Sequence, residues 1–261
     1  KWGADEFRKK FLAERKAVMG TRGGTIDWSF PVVEEAAPPV PTHVAAVAPA
    51  AGFDRWKSTN VGAQKQAGYS WATVVLPLGD ITAVQMRQLA EVSRRLNGGR
   101  LRTTIEQNFL LRWVKNEHLP ALYSELVKIG LGEAGAGRFS DITRCPGADT
   151  CQIAVTKSRE LAKALGGLFS DGLKPDADME GLHVKISGCT NSCGQHHIGT
   201  LGFYGTYRKV GDRPVPHYMV LVGGSTKEGE VKFGQPVGAI PARRVPEAVK
   251  KLVALFKAEK Q

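Results

Sequence analysis

No apolar run in this chain approaches the ~20 residues that a membrane-spanning helix needs, so no membrane span is expected. A dinucleotide-binding loop is also lacking, because the glycine-rich segment 130–137 follows a predicted helix and not a strand. That segment is expected to be a flexible connection between domains. The densest basic run is only Arg8-Lys9-Lys10, which argues against a nucleic-acid partner. These absences argue against an integral membrane protein, a dinucleotide-binding protein and a nucleic-acid-binding protein.

The composition predicts a folded protein with an anionic partner. Of 261 residues, 42% are hydrophobic and 23% are charged, which suits one large or two modest domains. Lys and Arg number 36 against 25 Asp and Glu, so the net charge is +11. This excess favours an acidic protein or a small anion as the partner. Because the chain begins at Lys1 and not at Met, the lack of a signal peptide carries no weight.

Residues 1–53 predict an N-terminal helix and an extended linker arm. Apolar residues recur near the helical period over residues 4–19, and Gly20 ends the pattern. Residues 35–52 contain four prolines among many Ala and Val residues, which predicts a linker without a helix. Its apolar composition indicates that the arm lies against another surface.

Residues 54–131 predict a small α/β sandwich with the element order β-α-β-β-α. Thr82 and Gln85 form a capping box before the first helix, and Pro120 opens the second. The expected elements are a strand at 69–76, a helix at 82–97, strands at 100–105 and 109–114, and a helix at 120–129.

Residues 132–261 predict a second domain of mixed helix and strand. The expected elements are a helix at 153–165, strands at 182–187, 201–207 and 217–222, and a helix at 246–257. The fold class expected for the whole chain is α+β.

The four cysteines all lie in the second half of the chain, as Cys145 and Cys151 and then Cys189 and Cys193. Four thiolates hold either a tetrahedral zinc ion or an iron–sulfur cluster. Paired zinc ligands are usually separated by about two to four residues, so the five residues between Cys145 and Cys151 suit zinc poorly. A cluster is wider than one ion, so its ligands can come from more widely separated backbone positions. The spacing therefore favours a cluster over zinc, disulfides or four unrelated buried cysteines.

The neighbours of the cysteines also favour a cluster. Cys151 is expected at the start of the helix at 153–165, where a helix N-terminus stabilises negative charge. Gly147, Gly188 and Gly194 flank the cysteines and permit close backbone approach, with amide hydrogen bonds to sulfur.

Four segments resemble the siroheme-dependent nitrite and sulfite reductases. Two of them hold the cysteines: TRCPGADTCQIAVTKS (143–158) and HVKISGCTNSCGQHHIGTLGFYG (183–205). The other two, NVGAQKQAGY (60–69) and LRTTIEQNFLL (101–111), resemble the ferredoxin-like unit that this family repeats. The resemblance covers about residues 54–207. It implies a ferredoxin-like α/β sandwich repeat followed by an α/β domain that binds siroheme and a 4Fe–4S cluster.

The resemblance implies a role for each cysteine. Cys145, Cys151, Cys189 and Cys193 correspond to the cluster ligands, and Cys193 to the thiolate shared with the siroheme iron. The family reduces nitrite to ammonia or sulfite to sulfide, each with six electrons. The motifs identify no catalytic residue in this chain and do not decide between the two substrates.

Siroheme carries carboxylates that need basic or polar neighbours. The resemblance implies five cofactor-binding residues: Cys193, Lys185, Gln107, Arg102 and Asn191. Arg144 is a weaker candidate, and His196 and His197 are expected to pack near the cofactor without binding iron. The alternative from the residues alone is a solvated Arg102, a turn at Gln107, and an Asn191 that pairs with backbone amides.

The family's enzymes contain two copies of the ferredoxin-like and α/β unit, and this chain resembles the second. The resemblance therefore implies a missing N-terminal half, in the same or another chain, that supplies most of the basic residues for the anionic substrate. The positive charge suits an acidic ferredoxin-like electron donor, and four reduced thiols suit the cytoplasm. Two alternatives stay open: a non-catalytic iron–sulfur electron-transfer or scaffold half, and a cobalamin-pathway oxygenase of the same fold.

Overall fold

The N-terminal segment forms the predicted helix, α1 (Ala4–Met19). The computed structural model describes residues 2–21, 36–39, 44–171 and 179–259. These residues divide between two compact units, Lys1–Ala37 and Pro38–Gln261. No residue of α1 is buried, and its apolar residues, including Phe7 and Phe11, are exposed.

The second unit begins with the arm, of which residues 40–43 lie outside the described part. Its described residues before Ala51 contain no helix or strand, as predicted. The expectation that the arm lies against another surface holds for two residues. Pro38 is buried beside Gly98, and Val44 packs on the hydrophobic core that contains Trp56 and Leu89. Most of the alanines that follow are exposed.

Four antiparallel strands and three helices make up the first part of the second unit. The strands are β1 (Val61–Ala63), β2 (Tyr69–Val74), β3 (Leu101–Thr103) and β4 (Phe109–Lys115), in the order β1-β2-β4-β3. The helices are α2 (Phe53–Asn60), α3 (Ala83–Asn97) and α4 (Leu119–Lys128). The predicted β-α-β-β-α order is present, preceded by α2 and β1, which the sequence did not indicate.

Local sequence determines α3. The Gln85 backbone N–H donates to Thr82 Oγ at 3.1 Å, and Gln85 Oε1 accepts from the Thr82 backbone N–H at 3.2 Å. The helix ends at Gly98, whose φ of 71° is left-handed. Its buried side chains pack on the sheet together with those of α4.

The second part of the unit contains a five-stranded mixed sheet. Its strands are β5 (Thr143–Arg144), β6 (Val184–Ser187), β7 (Leu201–Val210), β8 (Arg213–Val222) and β9 (Gln235–Pro241), in that order. β5, β6 and β7 are parallel, whereas β8 is antiparallel to both β7 and β9. Helices α5 (Ser158–Asp171) and α6 (Val245–Glu259) contribute to the core of this sheet. The α+β class is confirmed, while the three-part division of the chain stays a prediction.

The predicted helix start near Cys151 is wrong. Helix α5 begins at Ser158, seven residues after Cys151. The backbone N–H groups of Val155 and Thr156 donate to the Gly188 carbonyl at 2.8 and 3.1 Å, so this segment pairs with a distant loop instead of forming a helix. Cys151 therefore gains no helix N-terminus.

The glycine-rich connection is held in place and is not the flexible segment that was expected. The buried Asn60 donates through Nδ2 to the Glu133 carbonyl at 2.9 Å and accepts through Oδ1 from the Gly135 N–H at 2.9 Å. The same amide also donates to the Thr73 carbonyl of β2 at 2.9 Å. One side chain thus fixes the connection to the first sheet.

None of the described helices has the length and apolar character needed to cross a membrane.

Candidate metal centre

The cysteines lie in loops that leave one edge of the mixed sheet. β5 and β6 are parallel neighbours, so their carboxyl ends meet at the same edge. Cys145 follows β5 directly, and its backbone N–H donates to the Ile186 carbonyl at 3.0 Å. Cys189 lies two residues after the end of β6. The topology therefore brings the two cysteine segments together although they are far apart in the sequence.

Gly188 joins the two segments. Its backbone N–H donates to Cys145 Sγ at 3.0 Å, and its carbonyl accepts from the backbone N–H groups of Val155 and Thr156. A Cβ on Gly188 would lie 2.9 Å from the Cα of Gly147, so only glycine fits between the loops. The sequence-based expectation of close backbone approach and an amide–sulfur bond holds here.

Ser158 supports Cys145 from the start of α5. Its buried hydroxyl donates to the Cys145 carbonyl at 2.7 Å and lies 3.3 Å from Cys145 Sγ. Sequence reasoning missed this residue, because it lies outside the cysteine spacing and was placed inside a predicted helix.

The four thiols suit an iron–sulfur cluster better than the alternatives. All four are free, with Cys145 buried, Cys151 and Cys189 half-buried, and Cys193 exposed, so the disulfide alternative is not supported. Within the described ranges, no three His, Cys, Asp or Glu side chains are grouped around a position for a single metal ion. A cluster is held by four thiolates spread over a wider span and is tuned by amide bonds to sulfur, such as that from Gly188. The donor set and its surroundings therefore fit a 4Fe–4S cluster.

Gln107 approaches this centre from the first sheet. It lies in the turn before β4 with a left-handed φ of 70°, and its side chain hydrogen-bonds both backbone groups of Arg144. The turn that sequence alone suggested is present, and the side chain holds the residue before Cys145. A direct role of Gln107 at the cofactor stays a prediction.

The guanidinium of Arg144 is bonded to the segment that precedes α3. Its Nη2 donates to the Leu78 carbonyl and lies 3.1 Å from Asp80 Oδ1. Burial lowers the pKa of Arg144, the neighbouring Arg159 lowers it further, and Asp80 opposes both. The charge of Arg144 is therefore engaged within the fold.

Lys185 is buried on β6 and lines a cavity of about 230 Å³. Its Nζ lies 3.0 Å from Gln195 Oε1 and 3.3 Å from Thr143 Oγ1. Burial lowers the pKa of Lys185, while Glu106 and Asp141 partly restore it. The hydrogen-bond partners of this buried ammonium are neutral, while the carboxylates of Glu106 and Asp141 line the same cavity. A role of Lys185 at siroheme stays a prediction.

Arg102 and Asn191 are both exposed. Arg102 is on β3, paired with Leu110 of β4. Asn191 lies in the loop between Cys189 and Cys193. Their predicted roles as cofactor-binding residues stay predictions.

His196 and His197 follow the last cysteine in a short 3₁₀ turn (His196–Ile198). His196 Nδ1 lies 2.9 Å from Ser187 Oγ, and His197 Nδ1 lies 2.9 Å from Ser192 Oγ. Burial, with a smaller effect of His197, lowers the pKa of His196 to about 4, so this ring is neutral at pH 7. Both rings pack and hydrogen-bond next to the cysteine loop, in agreement with the sequence-based expectation.

Two family models match the chain. The nitrite/sulfite reductase ferredoxin-like half domain matches residues 62–129, which contain the four-stranded sheet. The nitrite and sulphite reductase 4Fe–4S domain matches residues 136–261, which contain all four cysteines.

Curated relatives with sequence similarity carry the name ferredoxin–nitrite reductase. The chain is 32% identical over 178 residues to the chloroplastic enzyme of Zea mays, covering 65% of this chain and 30% of that protein. It is 23% identical over 191 residues to the Synechococcus elongatus enzyme, covering 73% and 36%. It is 26% identical over 207 residues to the assimilatory ferredoxin-dependent nitrite reductase of Haloferax mediterranei, covering 78% and 35%.

Solved structures share the fold. The Mycobacterium tuberculosis NirA protein superposes with a TM-score of 0.66 at 18% identity, covering 95% of this chain and 43% of that one. Dissimilatory sulfite reductase I gives a TM-score of 0.54 at 14% identity, covering 66% and 58%. The matched segment therefore covers about a third of the length of the curated relatives described above, and the superposed part covers less than half of the NirA chain.

Proposed function

Because this chain belongs to the nitrite and sulfite reductase family, we propose that it supplies the cluster-binding half of a reductase for nitrite or sulfite. The cofactors predicted from the sequence, a 4Fe–4S cluster and siroheme, are those of this family. The proposed reaction is the six-electron reduction of nitrite to ammonia or of sulfite to sulfide.

One observation carries the proposal: the loops of all four cysteines are bonded to one another at one sheet edge. Gly188 joins the loop of Cys189 to the loop of Cys145 and Cys151 through one hydrogen bond to Cys145 Sγ and two to backbone amides. A Cβ on Gly194 would lie 3.1 Å from the Cys145 backbone nitrogen, so the residue after Cys193 is also adjacent. Four free thiols held in this way are what a single cluster requires.

Each polar group of the site has a proposed task. The cluster and siroheme supply electron transfer and the iron that activates the substrate. Cys145, Cys151, Cys189 and Cys193 would hold the cluster, with Cys193 also proximal to the siroheme iron. Lys185 would neutralise a carboxylate of siroheme, and Arg102 and Asn191 would lie at the rim. Gln107 would hold Arg144, the residue before the first cluster ligand, Cys145.

The complete enzyme would contain more protein than this chain. The first relatives are about twice its length, which supports an N-terminal half that contributes the substrate-binding basic residues. Several relatives are named for ferredoxin, and a net charge of +11 suits an acidic ferredoxin-like donor. Free thiols support a cytoplasmic protein.

Anaerobic spectroscopy tests the proposal on protein purified from its host with every chain that accompanies it. A Soret band, a long-wavelength isobacteriochlorin band and about five irons per site are expected from siroheme and one cluster. Cys189→Ser should lose cluster iron, whereas Ser225→Ala, a change in a loop after β8, should not.

The outcomes separate the alternatives. Turnover of nitrite or sulfite with reduced ferredoxin would identify the substrate. Zinc in place of iron would contradict the cluster, and a cluster without siroheme in the complete assembly would contradict the catalytic role and favour a scaffold half.

A further inference from the structure

The loop around Cys193 needs support from outside itself. Cys193 is the exposed cysteine and lies outside any helix or strand. The residues on either side of the Cys193–Gly194 pair, Ser192 and Gln195, have φ angles of 61° and 60°. Side-chain-bearing residues rarely adopt this left-handed conformation, and two of them in one loop persist only where surrounding contacts fix them.

Two serine–histidine pairs provide that support, one on each side of Cys193. Before it, Ser192 Oγ lies 2.9 Å from His197 Nδ1. After it, the Gly194 backbone N–H donates to Ser187 Oγ at 3.1 Å, and Ser187 Oγ lies 2.9 Å from His196 Nδ1.

The two imidazoles also support each other. Their ring centroids are 4.1 Å apart with an interplanar angle of 33°. His196 is fully buried against Tyr204 of β7, with centroids 4.9 Å apart. His197 packs near Phe233, and its carbonyl accepts from the Gly234 N–H at 2.7 Å. Movement of either ring would therefore disturb the contacts of both Ser192 and Gly194, the two neighbours of Cys193.

We infer that His196 and His197 are positioning residues that act through Ser187 and Ser192 to fix the direction of the Cys193 thiolate. This inference rests on the proposed function, in which Cys193 is shared by the cluster and siroheme. Groups that orient a metal ligand without touching the metal typically change metal affinity by about 10- to 100-fold when removed. His196 and His197 would orient Cys193 in this way without touching the cluster.

The experiment uses the anaerobic holoprotein with its accompanying chains. Ser192→Ala, His197→Ala and the double variant all remove the Ser192–His197 bond, so each should change the EPR spectrum and midpoint potential of the cluster, and the double variant should add little to the effect of His197→Ala. All three should lose the cluster to a chelator about tenfold faster than the wild type. His196→Ala should produce a change of the same kind through Ser187.

His217→Ala is the matched control. His217 is also buried in this domain, but its Nδ1 lies 2.8 Å from the Val215 carbonyl within β8. It should leave the EPR spectrum and potential unchanged, even if the melting temperature falls. Ser192→Ala is a small change at a half-buried position and keeps the test valid if a histidine variant does not fold.

The inference fails if the histidine and serine variants keep the wild-type EPR spectrum, potential and rate of cluster loss. It also fails if His217→Ala changes them equally, because the effect would then be general destabilisation. A wild-type protein without any 4Fe–4S cluster would overturn the proposed function and this inference together, and is distinguished by iron and sulfide analysis.

Discussion

Gln107 holds both backbone groups of Arg144: its Nε2 donates to the carbonyl at 2.7 Å, and its Oε1 accepts from the N–H at 3.2 Å. Arg144 is otherwise an edge residue of β5, paired on its other side with Ile186 of β6. A side chain of the first sheet thus takes the place of a further strand beside the residue that precedes Cys145.

Gln107→Met should therefore lower the free energy of unfolding by about 2 kcal/mol, because two buried backbone groups lose their partners. Cluster iron should also fall, since Cys145 follows directly. Chemical denaturation and iron analysis measure both effects. The exposed Gln66→Met is the control, and equal stability of the two variants would contradict the prediction.

Gly194→Ala should abolish cluster binding. The added Cβ would lie 1.9 Å from the Ile186 carbonyl oxygen, so the backbone next to Cys193 has to move. Gly167→Ala is the matched substitution in α5, where a Cβ meets nothing within 4 Å, and should stabilise the helix by about 1 kcal/mol. Iron content and melting temperature compare the two, and full iron content in Gly194→Ala would refute the argument.

Asn60→Ala should cost about 3 kcal/mol, because the buried Thr73 carbonyl and the part-buried Glu133 carbonyl lose their donor and the Gly135 N–H keeps only Thr59 Oγ1 as an acceptor. Asn116→Ala is the comparison, since exposed Asn116 accepts one bond, from Ser70 Oγ, and should cost about 1 kcal/mol. Urea denaturation measures both, and similar losses for the two variants would show that the connection is not fixed by Asn60.

Acid should destabilise the protein partly through His196. Its pKa is about 4 when folded and 6.5 ordinarily, so the unfolded chain binds more protons between these values. Stability from this group is complete above pH 6.5 and is lost as the pH falls toward 4. The melting temperature of His196→Phe should therefore fall less than that of the wild type between pH 7.5 and pH 5. Parallel curves would contradict the prediction.

Lys185→Met should reduce siroheme content while leaving cluster iron largely in place, because a buried ammonium beside the cavity is replaced by an uncharged chain. Lys185→Arg keeps the charge and should retain more siroheme. The exposed Lys65→Met provides the control. Pigment extraction and iron analysis separate the two cofactors, and an unchanged siroheme content in Lys185→Met would remove this residue from the proposed site.

Short-range signals were sufficient for some of the regular elements, of which α3 is an example. The capping box at Thr82 and Gln85 and the glycine at position 98 fixed α3 at both ends, because all three act within one helix. The spacing of the four cysteines could also be identified from the sequence alone. By contrast, β5 has two residues, too few for any periodicity, and β9 contains Pro236, Gly238 and Pro241 and has no alternating burial.

Long-range contacts explain what could not be predicted. Helix α5 starts late because Val155 and Thr156 bond to Gly188, which lies more than thirty residues away. Helix α2 depends on Trp56, whose burial against Tyr123 of α4 no local pattern indicates. At the site, Ser158 and Ser187 gain their partners only after the sheet has formed, so spacing alone could not identify them.

The bonds that join the cysteine loops impose an order on biogenesis. They connect Gly188 with Cys145 Sγ and with the backbone N–H groups of Val155 and Thr156. The ribosome must translate beyond β6 before the cysteine loops can assemble. A ribosome-bound fragment that ends before Gly188 therefore lacks the residue that joins these loops and has no complete binding site for a cluster. Scaffold proteins that hand over iron and sulfide would thus act on a chain whose sheet has already formed.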